Sequence, residues 1–180
     1  MRWWSAIVAL VVAGGVSSRA QASPWHLDAG GTTLVEAWDR NESGEALAGV
    51  VVGVDRRLWK GLSIRSEGHL THVEQAGPDA WAHGISIGTR GWWQRSFGRP
   101  FVDLAFGWAN ASRETPPRGT TSNYLIISGG GIAIPAGDVS LELGARWFHV
   151  SNNGREGASH NPDIQSLGMV IAIGWMPGRR

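Results

Sequence analysis

A histidine and a serine lie two residues apart in the segment "WFHVSNNG", which runs from Trp147 to Gly154. Residues two apart on a strand share one face, with Cα atoms about 6.6–7 Å apart. An imidazole within side-chain reach of a hydroxyl can act as general base toward a serine nucleophile. His149 and Ser151 are therefore a candidate hydrolytic pair. A histidine and a serine that only bind lipid headgroups would have the same spacing.

Groups that could complete such a site follow the pair in the sequence. Asn152, Gly154 and Asn161 offer amide and backbone N–H donors for a developing oxyanion. Asp163 and Gln165 lie further on, and both have the odd numbering of His149 and Ser151. Whether these groups meet depends on the elements that carry them.

Alternation of large apolar with small or polar residues recurs along the chain and predicts β-strands. Turn-forming residues such as "NESG", "FGRP", "TPPRG" and "SNNGREGASHNP" separate the segments. Each segment exceeds the roughly 9–11 residues that a tilted strand needs to cross a membrane. The eight predicted strands are 25–38, 45–59, 62–74, 80–95, 100–112, 121–135, 138–151 and 164–176.

Lipid cannot satisfy the open edge of a sheet, so spanning strands must close on themselves. The prediction is an all-β fold, an eight-stranded antiparallel transmembrane β-barrel of the bacterial outer membrane, with its interior filled by side chains. In strand seven the odd positions, such as Leu141 and Trp147, are oily and should face lipid, whereas Glu142 and Arg146 should face inward. A soluble exported barrel that binds an apolar ligand is the alternative, and its apolar face would point inward.

Composition agrees with an exported membrane barrel. Residues 1–22 are arranged as a secretory signal peptide: Arg2, an apolar run from Ile7 to Val12, and "AQA" before Ser23. Residues 23–180 then form one barrel domain. The chain has no cysteine, 11 tryptophans and 26 glycines. Its net charge of +1 provides no field for a polyanion, so no nucleic-acid partner is expected.

The numbering places the candidate site on the outside of the barrel. His149 and Ser151 continue the outward set of strand seven, directly beyond Trp147. Gln165, near the start of predicted strand eight, also has the odd numbering of that strand's lipid-facing residues. Strand seven runs outward if both termini lie in the periplasm, so this end lies near the outer leaflet. A polar group on a lipid-facing wall is understandable if the substrate is itself a lipid.

At these residues the chain resembles the lipid A 3-O-deacylases of the bacterial outer membrane (PagL family). The matching residues are "HVSNNG" at 149–154 and Asn161-Pro162 in the last hairpin. The resemblance implies a serine esterase that removes an acyl chain from lipid A of lipopolysaccharide, with Ser151 as nucleophile and His149 as base. It also implies that Gly154 N–H and the Asn161 side chain form an oxyanion hole, with Asn152 assisting.

One departure from the family pattern bears on activity. The family orients its histidine with a glutamate, and the matching position is Gln165, which cannot stabilise an imidazolium by charge. Asp163 has the same numbering parity and is the alternative source of a carboxylate. A catalytically silent barrel of the same fold is therefore a rival function. The proposed chemistry requires no cofactor or metal. The expected partners are the outer-membrane lipids that surround the barrel, and the sequence leaves open whether the protein forms a homodimer.

Two other motifs are predicted to be unrelated to catalysis. "GISIG" matches the G-x-S-x-G nucleophile elbow, which needs a strand, a sharp turn and a helix, but Ser86 lies mid-strand and should face inward. His69 and His72 are three apart, so on a strand they face opposite ways and cannot share a metal.

Overall fold

The computed structural model describes residues 23–38 and 44–176. The predicted signal peptide, residues 1–22, lies outside the described residues. Regular structure is almost entirely β, and a 3₁₀ turn at Ala158–His160 precedes the last strand. The strands are β1 (Trp25–Glu36), β2 (Ala46–Trp59), β3 (Leu62–Glu74), β4 (Ala80–Trp92), β5 (Arg99–Thr115), β6 (Thr120–Ala136), β7 (Val139–Ser151) and β8 (Ile164–Trp175).

The strands form one closed barrel. Each strand pairs antiparallel with its sequence neighbour, and β1 pairs with β8 to complete the circle. The predicted fold class and strand number are confirmed, and every strand boundary agrees within three residues. No helix in the described part of the chain is long and apolar enough to cross a membrane.

The outer wall is apolar, as the alternation predicts. Ile85, Ile87 and Phe106 are 62%, 57% and 57% exposed, while the intervening Ser86 is 2% exposed. In water, hydration of these exposed apolar side chains would cost free energy, whereas lipid chains cover them without that cost. The soluble barrel with an inward apolar face is therefore wrong.

The lumen has two layers of side chains. At the end that carries the chain termini, Arg90 is 1% exposed, donates to both carboxylate oxygens of Asp103 at 2.6 and 2.7 Å, and donates to Glu142 at 2.9 Å. Gly53 leaves room for this network, because a Cβ there would collide with the Arg65 guanidinium and the Asp28 carboxylate. The buried members of this charged network are His26, Asp28, Asp55, Arg65, Glu67, Arg90, Asp103, Glu142 and Arg146.

The second layer is apolar and lies beneath the opposite rim. Its buried members are Leu34, Leu47, Val73, Ala80, Ala105, Leu125, Ile127, Phe148, Val150 and Ile164. Packed side chains fill most of this part of the lumen and leave only a small cavity of about 50 Å³, as expected for eight strands.

The connections orient the barrel. Turns at 60–61 and 137–138 join strands at the end that carries the termini, and the long connection 152–163 lies at the other end. Outer-membrane barrels keep short turns on the periplasmic side and long loops outside. The end of β7 therefore lies at the extracellular rim.

Candidate active site on the outer wall

Successive residues at the end of β7 alternate between the wall and the lumen. Phe148 and Val150 are 3% and 9% exposed and pack in the apolar lumen layer, while His149 and Ser151 are half-buried on the outer face. The Trp147 ring stacks on the His149 ring, with centroids 5.9 Å apart and planes 13° apart. The lumen layer thus supports the candidate pair from behind.

Asn161 holds Ser151 in place. The Ser151 hydroxyl donates to Asn161 Oδ1 at 2.9 Å, and the same oxygen accepts from Asn152 N–H at 2.9 Å. Asn153 N–H in turn donates to Ser151 Oγ at 3.0 Å. The structure therefore brings together three of the residues that the sequence assigns to nucleophile and oxyanion hole.

The chain can turn back sharply here because it places asparagine and glycine where φ is positive. Asn153 has φ 57° and Gly154 has φ 71°, in the left-handed region that these residues tolerate. Asn152 Oδ1 accepts from Gly154 N–H at 2.7 Å, and Asn152 Nδ2 donates to the His160 carbonyl at 3.0 Å. The predicted oxyanion donor Gly154 N–H is thus engaged by the Asn152 side chain.

His149 contacts the two residues proposed to orient it. His149 and Gln165 are directly paired across β7 and β8, and Gln165 Nε2 lies 2.7 Å from His149 Nδ1. The same amide nitrogen donates to Asp163 Oδ1 at 3.2 Å, and that oxygen lies 3.7 Å from His149 Nδ1. Asp163 has φ 49°, a left-handed conformation that aspartate tolerates, at the entry to β8.

The orientation of the Gln165 amide, which also directs its nitrogen at Asp163 Oδ1, favours one tautomer of His149. An amide N–H that donates to Nδ1 requires a lone pair there, so this orientation goes with a neutral imidazole whose proton is on Nε2. A general base needs the opposite state, with Nδ1–H donated to an acceptor and Nε2 unprotonated. Within the described residues no hydrogen bond joins His149 to Ser151.

A second hydroxyl–imidazole pair lies in the lumen, and sequence reasoning missed it. Ser86 Oγ of β4 is 3.0 Å from His69 Nε2 of β3, and both side chains are buried. Strand register brings them together, since Glu67 pairs with Ser86 and His69 with Gly84. The adjoining apolar cavity of about 50 Å³ is far smaller than an acyl chain with its headgroup.

The described residues include one group with metal-ligand types in close reach, namely His26, Asp28 and Asp55. Arg65 already occupies the space between the carboxylates: its Nη1 lies 2.6 Å from Asp28 Oδ2 and 3.0 Å from Asp55 Oδ2. A guanidinium therefore supplies the positive charge that a metal would bring. The absence of a cofactor from the chemistry stays a prediction.

Comparisons with known proteins show similarity in fold and none in sequence families. No protein-family model and no curated protein matches the sequence. The outer membrane enzyme PagL is similar in structure, with 13% identity, TM-score 0.62, and coverage of 83% of this chain and 98% of that one. Neisserial surface protein A (NspA) gives 10% identity, TM-score 0.65, and coverage of 86% and 98%. OprG from Pseudomonas aeruginosa gives 7% identity, TM-score 0.53, and coverage of 86% and 96%. Together with the apolar wall, these likenesses show that the chain is an eight-stranded β-barrel of the bacterial outer membrane.

Proposed function

We propose that this barrel is an esterase that hydrolyses an acyl chain of lipid A, the 3-O-linked one, in the outer leaflet. One observation carries the proposal: two hydrogen-bonded groups of polar side chains lie side by side on the lipid-facing wall, Ser151 with Asn161 and His149 with Gln165. Polar groups that face lipid cost free energy, so their presence on this wall points to a function. An ester that diffuses within the leaflet reaches this wall without leaving the membrane.

The proposed reaction follows from the chemistry of the pair. Ser151 Oγ attacks the ester carbonyl while its proton passes to His149 Nε2, and the carbonyl electrons move onto oxygen. Amide donors of Asn161 and Asn152, with Gly154 N–H, stabilise that oxyanion. The tetrahedral intermediate collapses, the saccharide hydroxyl leaves with the proton from His149, and water hydrolyses the acyl-enzyme to release a fatty acid.

At least three hydrogen bonds must change for this reaction. Gly154 N–H must leave Asn152 Oδ1 to reach the oxyanion. Ser151 must donate to His149 instead of Asn161, and His149 Nδ1 must carry a proton directed at Asp163 or the Gln165 oxygen. Asp163 Oδ1 is 3.7 Å from Nδ1, so a shift of under 1 Å creates that bond. Catalytic hydrogen bonds commonly tighten only when substrate binds.

A catalytically silent barrel is the second candidate, and the Gln165 amide favours it. With Nε2–H donated to His149 Nδ1, the imidazole is in the wrong tautomer to serve as a base. In a serine protease, replacement of the acid by its amide costs about 10⁴ in rate for this reason.

Mass spectrometry of lipid A separates the two functions. Lipid A is compared from cells that express the wild type, Ser151→Ala, or Ser86→Ala, with heat-modifiable gel mobility as the measure of folded barrel. The esterase proposal expects loss of one acyl chain with the wild type and Ser86→Ala, and an intact spectrum with Ser151→Ala. Identical, fully acylated spectra from all three folded proteins would establish the silent barrel, while loss of activity with Ser86→Ala alone would move catalysis to the lumen pair.

A further inference from the structure

We propose that Trp108, Tyr124 and Arg155 form a binding site for a phosphorylated saccharide headgroup, next to the nucleophile on the β5–β6 side. We call these three residues the aromatic shelf. The inference rests on the proposed function, because it takes the glycolipid's ester to be at Ser151. It adds which side of the nucleophile the headgroup occupies and what recognises it.

Strand register places the shelf beside Ser151. Trp108 of β5 pairs with Tyr124 of β6, and Tyr124 pairs with Ser151 of β7. Trp108, Tyr124 and Ser151 therefore form one row across the outer wall, perpendicular to the strands. Adjacent strands lie about 4.8 Å apart, so Trp108 is about 10 Å from the nucleophile along this row. A headgroup on the shelf is thus within reach of an ester at Ser151.

The two rings are fixed before any ligand arrives. They meet edge to face, with centroids 4.8 Å apart and planes 88° apart. Asn110 Oδ1 accepts from Trp108 Nε1 at 3.4 Å and from Ser122 Oγ at 2.7 Å, which limits rotation of the indole. Rigid aromatic faces at the membrane interface suit the C–H face of a sugar ring, because they lose little entropy on binding.

Arg155 adds a cation to this platform. It lies in the connection between β7 and β8, which follows the nucleophile, and its guanidinium carbon is 5.8 Å from the Trp108 ring centroid. The connection therefore reaches back over β6 toward β5. Among residues 23–38 and 44–176, no ion pair joins Arg155 to a carboxylate, its neighbour Glu156 included. A guanidinium that is not neutralised by a carboxylate suits a phosphate.

Charge complementarity selects the occupant. A phospholipid offers a phosphate without a sugar, and an uncharged glycolipid offers a sugar without a phosphate. The shelf presents a cation and two aromatic faces together, so a lipid with both groups makes all the contacts. At the opposite end of the barrel, far from Ser151, Arg56 likewise lies over a tryptophan, with its guanidinium carbon 5.5 Å from the Trp25 ring centroid. It serves as a matched control.

The test measures binding without turnover. Ser151→Ala protein, refolded in detergent, is titrated with bis-phosphorylated lipid A, the same lipid A after chemical dephosphorylation, and phosphatidic acid, and bound lipid is counted by native mass spectrometry. Adding Arg155→Ala should weaken binding of phosphorylated lipid A about tenfold or more and leave the dephosphorylated lipid unchanged, since one charge-assisted contact is lost. Trp108→Phe, which keeps an aromatic face, should weaken both less than Trp108→Ala. Arg56→Ala should change neither.

Three results would overturn the shelf: unchanged binding after Arg155→Ala, an equal loss for the dephosphorylated lipid, or phosphatidic acid that binds as tightly as lipid A. Turnover is measured separately, with protein that retains Ser151. If the protein hydrolyses lipid A and its KM is unchanged by Arg155→Ala and Trp108→Ala, the shelf is refuted and the esterase proposal is retained. Absent hydrolysis with the expected binding pattern would refute the esterase and leave the shelf standing.

Discussion

If the barrel is the proposed esterase, replacing the Gln165 amide by a carboxylate should raise its activity once the charge of neighbouring Asp163 is removed. Gln165→Glu puts an acceptor 2.7 Å from His149 Nδ1, where the wild type has an amide donor. The ring proton then moves to Nδ1, Nε2 becomes free to accept the Ser151 proton, and the imidazolium gains a counter-charge. The amide at this position is thus expected to limit the rate in the wild type.

Distances in the structure set the size of this effect. A unit charge pair 2.7 Å apart attracts by about 1.5 kcal/mol in water and about 6 kcal/mol at an effective dielectric constant near 20. Asp163 opposes the gain, because its Oδ1 lies 3.2 Å from the same position and would repel a second carboxylate by about 1.3 to 5 kcal/mol. Gln165→Glu alone should therefore gain little. Gln165→Glu with Asp163→Asn removes the repulsion and should raise kcat/KM about a hundredfold.

The assay is release of fatty acid from purified lipid A in detergent micelles, by wild type, both single variants and the double variant. Folded protein is counted by heat-modifiable mobility, and Ser151→Ala in the double variant gives the background. Asp163→Asn alone should lower the rate at least tenfold, because it removes the only carboxylate near His149 among the described residues. If the double variant is no faster than the wild type, or if Gln165→Glu alone is the faster of the two, the tautomer argument is refuted.

Three further changes test the site and the barrel. Asn161→Asp keeps an acceptor for Ser151 but loses the amide donor, and should lower kcat about 10²-fold or more with KM little changed; an unaltered kcat in the same fatty-acid assay would remove Asn161 from the oxyanion hole. Arg90→Met leaves Asp103 and other buried carboxylates without their guanidinium and should cost about 3–5 kcal/mol of folding free energy, seen as a lower urea midpoint in lipid vesicles at unchanged activity per folded barrel. Ile87→Lys, 57% exposed in mid-strand, should cost about 2–4 kcal/mol in the same unfolding assay and Leu62→Lys at the rim much less, whereas equal losses would contradict a membrane centred on mid-strand.

The barrel could be predicted from the sequence because alternation is a local property. Numbering parity alone placed His149 and Ser151 on the outer wall and Ser86 in the lumen, as the structure has them. The predicted end of β5 at residue 112 is three residues short, because the strand runs on to Thr115 through small and charged residues without clear alternation. Parity states which way a side chain points, and it carries no information about which residue of another strand lies opposite.

The contacts of the site depend on that missing information. The pair of Ser86 with His69 follows from the register of β3 and β4, which the two motifs do not encode separately. In the connection after β7 there is no period to read, so the bond from Ser151 to Asn161 had to come from the structure. The family resemblance implied that Ser151 and Asn161 lie close together, but not that Ser151 would donate to Asn161 and leave His149 without a hydroxyl partner.

The way the barrel builds the site explains why residue 165 is decisive. His149 and Gln165 are direct partners in the β7–β8 ladder, and Val150 and Ile164 pair beside them in the apolar lumen layer. Packing of that layer fixes the register, so the group opposite the imidazole is always residue 165. Asp163 lies off the ladder, in a left-handed turn, and reaches His149 only by moving. The chain therefore places an amide opposite its histidine on the ladder and its carboxylate outside the ladder. This is why the exchange of Gln165 for glutamate, made together with Asp163→Asn, discriminates between a slow esterase and a silent barrel.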